Sequence, residues 1–105
     1  MKVLVVVEST NPKEPERNKA RYKHMAEGRP YREKLVQEKG IKVRSSGWGN
    51  GSGHMLGMFE FETFEDFEKM TTDPEFRKNF AKWSYLVDNV RVRIMYESFQ
   101  MPPET

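Results

Sequence analysis

Five consecutive apolar residues, Val3-Leu4-Val5-Val6-Val7, follow Met1-Lys2 at the start of the chain. β-Branched side chains in succession favour an extended backbone, and along a strand neighbouring side chains point to opposite faces. A strand that is apolar on both faces has to be covered on both, so it belongs in the middle of a sheet. One other stretch shares that character, Met55-Leu56-Gly57-Met58-Phe59-Glu60-Phe61. Two further runs, Ile41-Lys42-Val43-Arg44 and Val90-Arg91-Val92-Arg93-Ile94-Met95-Tyr96, alternate apolar with basic residues and suit edge strands with one covered face.

The segments between these strands read as helices. Residues 13 to 39 form a charged helical region interrupted at Gly28-Arg29-Pro30, so two pieces or one kinked helix are expected, closed by Gly40. Thr63 and Asp66 have the spacing of a capping box, and Asp73-Pro74 gives a second helix start with proline at the first helical position. Phe76, Phe80, Trp83 and Val87 then draw one apolar stripe. The order β, α, β, β, α, β predicts an α+β, ferredoxin-like fold with a four-stranded antiparallel sheet, its first and third strands central. A single domain over 1–105 is expected, with a short tail at 100–105 after Met101-Pro102-Pro103 ends the last strand.

Alternation sorts the sheet into two faces. Val3, Val5, Val7, Ile41, Val43, Met55, Phe59, Phe61, Val90, Val92, Ile94 and Tyr96 face the helices, and Leu4, Val6, Leu56 and Met58 occupy the centre of the other face. Lys42, Arg44, Glu60, Arg91 and Arg93 surround that second apolar centre. Leaving four such side chains in water forgoes roughly 6 to 12 kcal/mol, comparable with the roughly 5 to 15 kcal/mol stability of a whole domain. Two sheets are therefore expected to pack face to face as a homodimer, with Glu60 paired to Arg44 or Arg93.

Composition removes several alternatives. The chain has no cysteine, which excludes disulfides, thiolate metal sites and a cysteine nucleophile. The apolar start is too short for a membrane span, which implies a cytoplasmic protein without a membrane partner. Residues 13 to 44 are basic and residues 45 to 105 acidic, but the basic residues are interleaved with acids and form no cluster, which disfavours nucleic acid as a partner. In Ser45-Ser46-Gly47-Trp48-Gly49-Asn50-Gly51-Ser52-Gly53-His54, four of the seven glycines alternate between two strands. A phosphate-binding loop needs different spacing and a helix after it, so this stretch reads as a hairpin turn.

The element order, the two-sided central strands and the passage Phe59-Glu60-Phe61-Glu62-Thr63-Phe64-Glu65-Asp66-Phe67 resemble the dimeric α/β-barrel superfamily. Within it, Gly47-Trp48 and Ala81-Lys82-Trp83-Ser84-Tyr85-Leu86-Val87-Asp88 are similar to a bacterial domain family of unknown function. The resemblance implies two ferredoxin-like sheets closing a shared barrel, often with a pocket between helices and sheet. It covers small monooxygenases, haem-degrading enzymes, lactone isomerases and proteins with no assigned activity. The haem-degrading branch relies on an asparagine on the first strand and a tryptophan and a histidine on the second helical segment. Here Met70 and Phe80 occupy the last two positions and the first strand has no asparagine, so haem is disfavoured and no cofactor is implied.

A cofactor-free monooxygenase of the antibiotic-biosynthesis type needs only an apolar pocket with a few hydrogen-bonding groups. Tyr22, Trp83 and Tyr96 are candidates to line one, and Trp48 to cover it, although rings at these spacings also suit a plain core or, for Trp48, a partner chain. Glu60 and His54 are candidate catalytic groups, Glu60 because a carboxylate on a central strand loses water unless a cation compensates. His24 and His54 show no metal-ligand spacing, so no metal is expected. An RNA-recognition domain shares the topology, but Leu56 and Met58 stand where stacking rings are needed. The expectation is a homodimer that binds or transforms a small apolar or aromatic metabolite. The rival is a dimer without catalysis.

Overall fold

The computed structural model describes residues 1–98. Its elements are β1 (Val3–Thr10), α1 (Pro15–Lys39), β2 (Val43–Gly49), β3 (His54–Phe61), α2 (Phe64–Thr71), α3 (Pro74–Tyr85) and β4 (Asp88–Tyr96). The strands form one antiparallel sheet in the order β2-β3-β1-β4. The two strands that are apolar on both faces are the central pair, and those that alternate with basic residues are the edges. This is the ferredoxin-like α+β arrangement. The expected tail at 100–105 lies outside the described residues.

Two local features differ from expectation. Of the two forms open to residues 13 to 39, two pieces or one kinked helix, the structure excludes the first: α1 is one helix with Pro30 in its interior. Proline deletes one backbone bond, but Met25-Ala26-Glu27 before it and Arg32-Glu33-Lys34-Leu35 after it are good helix formers that carry the helix across. The glycine-rich stretch is mostly strand rather than loop. β2 continues past Arg44 to Gly49, setting Gly47 opposite Gly57 and Trp48 opposite Leu56, because main-chain pairing along β3 needs no side chain to hold it. The turn itself is confined to 50–53, where Asn50 Oδ1 accepts from the Ser52 and His54 amides at 3.0 and 3.2 Å, and Gly53 takes φ 88°.

The buried core, Val3, Leu35, Ile41, Phe61 and Met70, gathers at one end of the sheet under the second half of α1. Phe61 meets Phe67 edge-on at 5.7 Å. Two aspartates fasten the helices there. Asp66 accepts from the Thr63 hydroxyl at 2.8 Å and from the Lys42 amide at 3.2 Å, tying the start of α2 to the approach to β2. Asp73 caps α3 through the Phe76 amide at 2.9 Å, accepts from the Tyr31 hydroxyl and pairs with Lys39 at 3.4 Å, joining α3 to α1.

Burial pushes the Asp66 carboxyl up, but hydrogen bonds from Thr63 and the Lys42 amide outweigh it and hold the group below its ordinary value. Asp73 is held down first by the Tyr31 hydroxyl and then by the Phe76 amide, and in turn Asp73 pushes Tyr31 up to about 12. For both aspartates the folded pKa lies below the unfolded one. Their contribution to stability is therefore present above pH 3.8, the ordinary carboxyl value, and is lost as pH falls through the depressed values. Asp73→Ala is expected to lower the unfolding free energy at pH 7 by about 1 to 2 kcal/mol in urea titrations, and to flatten the acid limb of the stability profile. An unchanged midpoint would remove Asp73 from the list of structural anchors.

Candidate functional site

Register decides what each residue of β4 faces. Val92, Ile94 and Tyr96 stand beside Val7, Val5 and Val3, on the side that carries the helices. Val3 is fully buried, yet Val92, Ile94 and Tyr96 are 45%, 46% and 50% exposed. The helices overhead explain the contrast. α3 lays Phe76, Phe80 and Trp83 toward the sheet, but none of its residues is buried, and α1 buries only Arg21 and Leu35. The apolar strip of β4 thus floors an open trough. Phe64 flanks it, 6.2 Å from the Tyr96 ring, and Phe80 and Trp83 pack on each other at 5.5 Å on the stripe above.

The roof is polar. Arg17, Arg21, His24, Gly28, Tyr31 and Leu35 follow one another at intervals of three or four and share the inner face of α1. Arg17 bonds Asp88 at 2.8 Å and the Tyr85 and Val87 carbonyls at 3.0 Å, clasping the α3–β4 connection to the start of α1. The Asp88 bond raises the guanidinium pKa above its ordinary value. His24 Nε2 donates to the Asn79 carbonyl at 2.9 Å. Arg21 is 4% exposed; its Nε donates to Asn18 Oδ1 at 3.1 Å and its Nη1 to Met25 Sδ at 3.4 Å. Arg32, one strip over, is half-buried, and desolvation, then the like charge of Arg29, lowers its pKa. Sequence reasoning missed this row. The spacing was visible, but charged residues at that spacing read as a solvated face.

The opposite face of the sheet carries Leu4, Val6, Leu56 and Met58, with Glu8, Glu60, Arg44, Arg91 and Arg93 around them. Met95, beside Leu4, extends this apolar centre and was not anticipated. Val6 needs no partner chain to lose its water: it is 8% exposed within one subunit, shielded by its neighbours, whereas Leu4, Leu56 and Met58 are half-buried and Met95 is exposed. Within the chain Glu60 pairs with Lys2 at 3.6 Å, and Arg93 reaches Glu8 at 3.8 Å. Two clefts meet at Glu60. One of about 570 Å³ runs along Lys42, Arg44 and Glu62, and one of about 240 Å³ runs along Leu4, Met95 and Tyr96.

The structure does not assemble the expected pocket residues in one place. Trp83 and Tyr96 both lie on the helix side. Trp48 is on the other face, exposed, beside Leu56. Tyr22 is exposed on the outside of α1 with the Arg21 guanidinium 4.3 Å from its ring centre. His54 sits at the hairpin end of β3, its amide held by Asn50, remote from Glu60 at the other end of that strand.

No family model matches the chain, and no characterised relative matches its sequence. Solved structures do resemble it in shape. A cofactor-independent oxygenase from Streptomyces nogalater superposes with a TM-score of 0.68 at 12% identity, over 97% of this chain and 98% of that one. A candidate antibiotic biosynthesis monooxygenase from Deinococcus radiodurans gives 0.62 at 12% identity, with complete coverage of both chains. A de novo designed protein gives 0.61 at 12% identity, over 91% and 85%. What these likenesses share with the chain is the ferredoxin-like fold. A designed chain that shares it shows how little chemistry the backbone alone dictates.

Because Arg17 joins α1 to the α3–β4 connection by four hydrogen bonds, Arg17→Ala is expected to lower the melting temperature and to speed amide hydrogen exchange at the start of β4. Unaltered exchange there would show that the clasp holds nothing.

Proposed function

We propose that the chain is a homodimer that binds a small apolar or aromatic molecule in the trough between α3 and β4, in a cytoplasmic setting. One observation carries the ligand: Val92, Ile94 and Tyr96 lie on the core-facing side of the sheet and are nevertheless half exposed. Pockets for small molecules are mostly apolar, with a few placed polar groups, and the trough has that composition, an aliphatic floor beneath an arginine-bearing helix. The dimer is supported by the second face. Covering the exposed half of Leu4, Leu56, Met58 and Met95 would contribute roughly 3 to 6 kcal/mol, and Val6, already shielded, adds little. The mixed charges around that centre suit a two-fold contact of the face with itself.

The likeness to a cofactor-independent oxygenase favours one reaction for the bound molecule. In such chemistry no cofactor supplies electrons, so the substrate itself reduces dioxygen as it takes up oxygen. The protein's part is to bind, desolvate and orient.

Ile94 and Met95 separate the two halves of the proposal, since they are adjacent, equally exposed and on opposite faces. Ile94→Asp is expected to abolish the fluorescence enhancement of phenylnaphthylamine while leaving a light-scattering mass of two chains. Met95→Asp is expected to retain the probe and shift the mass toward one chain. A mass of one chain for the unaltered protein at micromolar concentration sinks the dimer, and probe binding indifferent to Ile94→Asp sinks the trough.

A further inference from the structure

The tip of the β2–β3 hairpin contains Asn50-Gly51, a pair with a chemistry of its own. The main-chain nitrogen after an asparagine can attack the side-chain amide carbon and close a five-membered imide, and a glycine there, lacking Cβ, leaves the nitrogen unhindered. The four other asparagines of the chain precede proline, lysine, phenylalanine and valine, which bar or crowd that attack. At the tip both reacting groups are open. Asn50 and Gly51 are exposed, and a methyl group at Gly51 would meet nothing within 4 Å. Among the described residues the Gly51 amide donates no hydrogen bond.

The surroundings of the Asn50 carbonyl set this pair apart. Its Oδ1 accepts from the Ser52 hydroxyl at 2.7 Å, the Ser52 amide at 3.0 Å and the His54 amide at 3.2 Å. Reaching an amide two residues on folds the side chain back over the intervening Gly51, the loop of an Asx turn. Three donors on one oxygen draw electrons from its carbon, and their bonds strengthen as attack puts negative charge on that oxygen. The main chain holds the donors in place. The Asn50 amide donates to the His54 carbonyl at 3.0 Å, and the Asn11 amide to the Gly53 carbonyl at 2.8 Å.

We propose that Asn50 is a self-modification site, converted to aspartate in the folded protein with the three donors directing the product. The Gly51 nitrogen bonds to Cγ, the Cγ–Nδ2 bond breaks, and ammonia leaves with the proton that Gly51 gives up. Water then opens the imide. Attack at Cγ breaks the new C–N bond, returns a proton to the Gly51 nitrogen and yields aspartate. Attack at the main-chain carbonyl of residue 50 yields isoaspartate, with one more carbon in the backbone. The donors sit on the Cγ oxygen and favour the first opening. The net change is amide and water to carboxylic acid and ammonia, and water is the one co-reactant. Aspartate at 50 keeps the same three donors, now as charge-assisted bonds, and adds a negative charge to the tip.

The test is to age the unaltered protein in warm, mildly alkaline buffer and map its peptides by mass spectrometry, with aspartate and isoaspartate separated. Asn50 is expected to convert before the other asparagines, giving mainly aspartate. The same chain in urea, where the donors are lost, is expected to give mainly isoaspartate. Ser52→Ala deletes the hydroxyl donor and is expected to slow conversion in the folded protein about fivefold, the scale of one neutral hydrogen bond, and to move the product ratio toward the urea value. Asn50→Asp is expected to keep the melting temperature of the unaltered protein, a readout independent of the rate. An Asn50 that stays intact when folded and converts in urea overturns the proposal, since the turn would then shield the amide. The same product ratio with and without urea, faster conversion in Ser52→Ala, or a lower melting temperature in Asn50→Asp each overturns it too.

Discussion

The pairing of β1 with β3 is the constraint from which the other features follow. Its register sets Val3 against Phe61 and Val5 against Phe59 on one side of the sheet, and Val6 against Met58 and Glu8 against Leu56 on the other. A one-residue slip would exchange the two faces wholesale. With the register fixed, the core can form only on the odd-numbered side of β1, and the even-numbered side is left as an apolar centre ringed by charge. Among the described residues the helices occupy one side of the sheet only, so they cannot cover both.

The helices also do not fully close the side they occupy. The core is dense where Leu35, Ile41, Phe61 and Met70 meet and thins toward β4, because the first half of α1 presents arginine, asparagine and histidine inward instead of leucine or valine. Long polar side chains hold a helix away from a sheet, and their hydrogen bonds end at backbone carbonyls of α3 or on neighbouring residues of α1, above the β4 floor.

The sheet and its caps were legible because their signals are local. Two-sided valine runs, alternation with arginine, Thr63 before Asp66 and Asp73 before Pro74 each act within a few residues, and the structure contains what they imply. The extent of β2 was not legible. Gly47 and Gly49 lower strand propensity, and only main-chain pairing with β3 draws them into the ladder. Nor could the placement of Trp48 and Tyr96 on opposite faces be read while that strand was thought to end at Arg44. The inward row on α1 escaped for another reason. A helix with charges on every side has no apolar stripe to orient it, so which arginines turn inward depends on Tyr85, Val87 and Asn79, brought near only by folding.

One row of the sheet has a consequence for shape. Gly47, Gly57, Val7 and Val92 lie abreast across all four strands, so half of that row bears no side chain on the helix side. A methyl group at Gly47 would meet nothing within 4 Å. Strands lacking neighbours to prop them apart can coil more tightly. The hairpin end of the sheet is thereby free to curl, which is the deformation a flat sheet must undergo before it can become one wall of a closed cylinder.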